Sequence, residues 1–190
     1  MDEIADFEMP FGQGEMSRLE RADEVPPTGK QVLIEADAST LAALATRFHV
    51  EEVADLTADI LLTPLDKNCL YASGKMSGRV RQFCSVTLQP VWTSIAQKIE
   101  VEFQPAHMAA QFVEPEDDYE TEAPEAMQDG TADIGEWVTQ VFAMEVPAYP
   151  RAPDVEFGGY GQSAEEIAAE DKKPSPFAAL AALKGDTDKT

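Results

Sequence analysis

Across residues 53–65 apolar and polar positions alternate, with Ala54, Leu56, Ala58, Ile60 and Leu62 on one face and Asp55, Thr57 and Asp59 on the other. That period of two predicts a half-buried strand. Asp66, Lys67 and Asn68 then form a three-residue hairpin turn, because Asn tolerates the left-handed conformation such a turn needs at its last position. The return strand spans residues 69–84. Its even positions (Leu70, Ala72, Gly74, Met76, Gly78, Val80, Gln82, Cys84) are small or apolar and point inward. Its odd positions (Tyr71, Ser73, Lys75, Ser77, Arg79, Arg81, Phe83) point outward. A third strand over residues 91–103 turns Val91, Ile95, Ile99, Val101 and Phe103 inward and Ser94, Lys98, Glu100 and Glu102 outward. Three antiparallel strands in succession predict a meander with one wet side.

The period lengthens elsewhere. After a short strand at residues 31–35, Ser39 is placed to cap a helix whose Leu41, Leu44, Ala45 and Phe48 share one stripe. Asp133 and Glu136 resemble a capping pair opening a second helix with Ile134, Trp137, Val138, Val141 and Phe142 inward, stopped near Pro147. Residues 1–15 are acidic and expected to fray or form an edge strand, with order beginning near Met16. Residues 104–131 read as an extended, unpacked acidic loop, and residues 151–173 as a linker. Ser175 and Pro176 suit the start of a short helix over residues 177–184, closed by Gly185. The fold class expected is α+β: an antiparallel meander sheet with packed helices in one domain over residues 16–150, a flexible acidic loop, and a tail over residues 151–190.

Charge changes the picture. The chain carries a formal charge of −22, yet residues 67–99 hold five cations and no acid, whereas residues 100–150 hold thirteen carboxylates and no Lys or Arg. So acidic a chain repels polyanions and favours cationic partners, so the basic window marks where a polyanion would have to touch. Pairing Leu65 with Cys69 across the turn sets Asp59 opposite Lys75 and Asp55 opposite Arg79. Each such pair stabilises a sheet by about 0.2–1 kcal/mol. Lys67, Arg81 and Lys98 are left as the cations most free to bind, with Phe83 beside them. Guanidinium groups meet phosphate and rings stack bases, so these four residues are the candidate contacts to RNA or another partner. The acidic run of Glu114, Glu116, Asp117, Asp118, Glu120, Glu122 and Glu125 is either a solubilising spacer or a docking arm for a basic protein. The terminal helix is too short to stand alone, so Phe177, Leu180 and Leu183 need a surface on this domain or on a partner.

Signals for catalysis are missing. Two cysteines and two histidines make neither a disulfide framework nor zinc-like spacing. Cys84 reads as a small buried hydrophobe, His49 as a cation near a helix C-terminus, and His107 as a loop residue without a neighbouring nucleophile. Gly158, Gly159 and Gly161 lack the strand and helix that flank a phosphate loop. No enzyme activity, cofactor, metal or small-molecule substrate is expected. No apolar run approaches the roughly 18 residues of a membrane span, and Met1, Asp2, Glu3 and Ile4 are acidic where a secretory signal is basic, so a cytoplasmic protein is expected.

Three stretches, taken in order, resemble the YceD family, the large ribosomal RNA subunit accumulation proteins of bacteria and plastids. Within residues 74–91, Cys84, Leu88, Pro90 and Val91 match the family's Cys-x-x-x-Leu-x-Pro-Val pattern. Within residues 129–151, Pro147, Tyr149, Pro150 and Arg151 match its turn after a helix, and residues 176–184 match its terminal Pro-Phe-Ala-Ala-Leu-Ala-Ala-Leu-Lys. The resemblance covers residues 16–184. It implies a non-enzymatic ribosome biogenesis factor that supports accumulation of large-subunit (23S) ribosomal RNA, binding the large-subunit precursor or a basic ribosomal protein. Many relatives carry a second cysteine where this chain has Thr87, so no metal or redox role is carried over to Cys84. The alternative is an acidic regulator or chaperone that mimics nucleic acid on a basic protein.

Overall fold

A computed structural model describes residues 11–113 and 123–155. In chain order the elements are β1 (Leu19–Arg21), β2 (Lys30–Glu35), α1 (Ala38–Arg47), β3 (Glu52–Pro64), β4 (Leu70–Phe83), β5 (Pro90–Pro105), α2 (Ala106–Ala109), β6 (Glu125–Met127), β7 (Thr131–Asp133) and α3 (Ile134–Met144). Strands β2 to β5 form an antiparallel meander, β6 adds a short parallel strand beyond β5, and β1 pairs with β7 in a separate ribbon. The α+β class is as expected, with β2 and β6 extending the predicted three strands to five. No helix among the described residues is long and apolar enough to cross a membrane.

Alternation explains the sheet. Leu56, Ala58, Ile60 and Leu62 of β3, Leu70, Ala72, Met76 and Val80 of β4, and Ile95, Ile99, Val101 and Phe103 of β5 are buried on one face. The turn closes as predicted: Leu65 N–H donates to Cys69 O at 2.9 Å, Asn68 is left-handed at φ 58°, and Asp59 stands opposite Lys75. The register then departs from expectation. A bulge between Ala54 and Thr57, with Asp55 at φ 55°, puts Ala54 rather than Asp55 opposite Arg79. Val53, not Ala54, takes the inward place.

Both long helices are capped by aspartates and lie against that apolar face. Asp37, not Ser39, caps α1: its carboxylate accepts from Thr40 N–H at 2.8 Å and from the Ser39 hydroxyl at 2.7 Å. A charged acceptor outcompetes the neutral hydroxyl, and these bonds, Thr40's foremost, hold the Asp37 carboxyl down to about 2. Leu44 of α1 is fully buried, while Leu41, Ala45 and Phe48 pack at the margin. Asp133 caps α3 through Glu136 N–H at 3.1 Å, and also accepts from Arg18 N–H at 2.8 Å. The Phe142 ring sits over Gly78, where a Cβ would come within 2.8 Å of it. Trp137 meets Phe103 edge-on at 5.9 Å between centroids.

The stretch expected to be an unpacked loop is ordered at both ends. His107 lies in α2, Met127 of β6 is buried beside β5, and Thr131 opens β7 of the ribbon. Apolar residues flank the acidic run and carry this order, while Glu114, Glu116, Asp117, Asp118, Glu120 and Glu122 lie outside the described residues. Phe177, Leu180 and Leu183 lie outside them as well. Glu15, assigned to a fraying terminus, instead pairs with Arg47 of α1 at 2.9 Å.

Candidate functional site: the outer sheet face and the β4–β5 turn

With the helices on one side, no element among the described residues covers the other face of the meander. Register sets its residues in rows running from β3 through β4 to β5: Glu52–Arg81–Trp92, Ala54–Arg79–Ser94, Thr57–Ser77–Ala96, Asp59–Lys75–Lys98 and Leu61–Ser73–Glu100. Trp92 is 41 % exposed, and the guanidinium carbons of Arg79 and Arg81 stand 5.0 and 5.7 Å from its ring centroid. Two cations thus share one indole. Each also holds a carboxylate from β3, Arg79 with Asp55 at 2.5 Å and Arg81 with Glu52 at 3.0 Å. Exposed Phe83 is the next outward residue of β4 after Arg81.

The four predicted contact residues therefore do not form one patch. Arg81 and Phe83 come together, but Arg81 is paired, contrary to expectation, because the bulge leaves Glu52 directly opposite it. Lys98 sits at mid-sheet beside Lys75. Lys67 lies in the β3–β4 turn, at the far end of β4 from Phe83, about 45 Å away along a strand of this length. Asp59 faces Lys75 but accepts the side-chain amide of Gln31, and no ion pair reaches Lys75 or Lys98 among the described residues. Trp92 was missed, although it shares the even numbering of the outward residues Ser94 and Lys98, and that parity was sufficient to place it.

At the same end of the sheet the two sequence patterns meet. The turn after β4 is closed by Cys84 N–H to Gln89 O at 2.8 Å and Leu88 N–H to Cys84 O at 2.9 Å, with Leu88 left-handed at φ 57°. The chain leaving α3 is fastened onto it. Ser85 donates its N–H and its hydroxyl to Pro150 O, each at 2.8 Å, and the Gln82 amide donates to Pro147 O at 3.0 Å. Ala152 N–H donates to the buried Cys84 Sγ at 3.3 Å. The Thr87 hydroxyl, then the N–H groups of Ala152, Thr87 and Val86, favour the thiolate and bring the Cys84 thiol down to about 6, against the opposing effect of burial. Cys84 is thus buried as expected but polar in its surroundings.

This junction fixes Pro90 and Val91 at the start of β5 and buries Pro150, while Leu88 (72 % exposed), Tyr149 (80 %) and Arg151 project outward. Gln82 Oε1 is buried with no hydrogen-bond partner among the described residues. No group of three His, Cys, Asp or Glu residues among the described residues gathers to hold a metal. The arrangement offers rings, guanidinium groups and apolar tips, which suit recognition of a large surface.

No curated protein and no solved structure matches the chain. The family profile described as Large ribosomal RNA subunit accumulation protein YceD matches residues 72–184. That stretch contains β4 from Ala72 onward, β5, the Cys84 turn, α3 and the segment fastened to the turn, so the junction of the two patterns lies wholly inside it. The chain belongs to the YceD family, which ties it to accumulation of large-subunit ribosomal RNA.

Proposed function

We propose that this chain is a non-enzymatic assembly factor that supports large-subunit ribosomal RNA by binding the large-subunit precursor. The contact is the end of the sheet formed by Arg79, Arg81, Phe83 and Trp92, extended by Leu88 of the β4–β5 turn and Tyr149 of the segment fastened to it. The observation that supports it most is the exposed Trp92 ring with two guanidinium groups against it. Exposed indole on an open sheet has no role in the core, and stacking of one base on such a ring contributes about 1–3 kcal/mol. Sedimentation tests it. Trp92→Ala combined with Phe83→Ala should lower co-migration with precursor particles at least tenfold while the thermal transition stays in place; unchanged co-migration removes this surface from the proposal.

A second reading, an acidic regulator seated on a basic protein, draws on the formal charge of −22 and on the carboxylates already held by Arg79 and Arg81. A soluble complex with a basic ribosomal protein, free of RNA and resistant to ribonuclease, would favour it.

A further inference from the structure

We infer that the trough of small side chains between the Arg79 and Lys75 rows is a seat for single-stranded RNA, its phosphates held by Lys75 and Lys98 and a base stacked on Trp92. This rests on the proposed binding of the large-subunit precursor and names the part of it that is touched. The floor of the trough is the row Thr57–Ser77–Ala96, with Ser94 beyond it. Exposed Leu33 closes its β2 side, and Lys75 and Lys98 close its lower side, around a hollow of 430 Å³. Outward residues two apart on one strand are about 6.7 Å apart, so from Lys98 along β5, through the trough and one row past it to Trp92, is about 20 Å, the span of a few extended nucleotides.

Three observations favour this occupant. Lys75 and Lys98 are directly opposite one another, an arrangement that disfavours the sheet unless an anion lies between them. The nearest carboxylates are engaged by other donors: Asp59 accepts from Gln31 and Glu100 from the Tyr71 hydroxyl, the latter at 2.5 Å. The cationic rows frame small residues, so a backbone can lie down between them instead of standing off on long side chains. An aromatic face on a flat sheet reads the face of a base, which a duplex hides inside its own stack. The acidic remainder of the chain keeps such binding local and modest. Two phosphate contacts to a single strand give a salt slope of about −1.4, or about sevenfold weaker binding from 50 to 200 mM salt.

Fluorescence anisotropy of the full chain with a labelled 12-nucleotide oligouridine, against a duplex of equal length, tests the seat. Single strands should bind at least tenfold tighter than duplex and quench Trp92, since Trp137 is only 5 % exposed. Lys75→Gln with Lys98→Gln should abolish most of this binding while leaving the protein at least as stable, because the substitution removes a like-charge pair. Ala96→Glu should block the trough and act in the same direction. Equal binding by these variants, equal binding of duplex, or no binding of single strands by the wild type overturns the inference. In each case undiminished co-sedimentation of the wild type with precursor particles leaves the proposed function standing, and loss of that co-sedimentation removes the function itself.

Discussion

Arg47 ties three distant parts of the chain with one side chain. It reaches Glu15 at 2.9 Å ahead of β1 and Glu136 at 2.5 Å in the first turn of α3, from the last turn of α1. All three side chains are partly buried, so removing the guanidinium leaves two carboxylates facing each other with little water. Arg47→Ala should lower stability by about 1–3 kcal/mol in urea titration, more than an exposed pair and less than a fully buried one. Burial pushes the Glu136 carboxyl up, but hydrogen bonds from Arg47 and Gln140 outweigh it and hold it below the ordinary range. A carboxyl whose folded pKa is depressed contributes stability above its unfolded value and loses it as pH falls through the folded one. The Arg47 variant should therefore show a shallower loss of stability on the acid side than the wild type; an identical acid limb would mean that Glu136 is held by something else. None of this was legible in the sequence. Capping spacing located Glu136, but its partner lies 89 residues earlier. The same holds for Cys84: its burial followed from parity, whereas its donor from Ala152 comes from 68 residues downstream.

Among the elements, the meander was legible because each strand alternates cleanly and a short turn with Asn68 fixes the register between β3 and β4. The bulge was not, because Ala54 and Leu56 are both apolar and the alternation reads through it. Asp55, a residue that tolerates a positive φ, was the one local hint. Packing at the centre of the hairpin depends on Gly74, whose added Cβ would lie 2.1 Å from the Asp59 carbonyl oxygen and 2.9 Å from Ile60 Cα. Both are backbone atoms of the neighbouring strand and cannot turn aside. Gly74→Ala should cost at least about 1–3 kcal/mol and lower the thermal midpoint. A midpoint equal to the wild type would show that the two strands can separate there without loss. The short strands β6 and β7 were hidden in an acidic stretch, since three residues are too few to show a period.

Across the whole molecule, a formal charge of −22 on 190 residues works against compactness as well as against polyanions. Raising salt from about 20 to 200 mM shortens the Debye length from roughly 20 to 7 Å and should raise the thermal midpoint, as scanning calorimetry would show. A midpoint that falls with salt would mean that the ion pairs outweigh self-repulsion. The site was legible only as a list of cations and rings; their grouping required register, and the bulge decided which cations are already held. That last point governs how the proposed RNA contact would behave in time at Arg79 and Arg81. Asp55 and Glu52 sit on Arg79 and Arg81 as resident competitors, supplied by a strand that precedes the family-matched stretch. A phosphate arriving at either arginine must displace its carboxylate and gains only the difference, and the carboxylate stands ready to return when it leaves; one at Lys75 or Lys98 meets no such ion pair among the described residues. On the proposed precursor such a grip would turn over quickly, so departure would need no energy source of its own, only RNA that folds away.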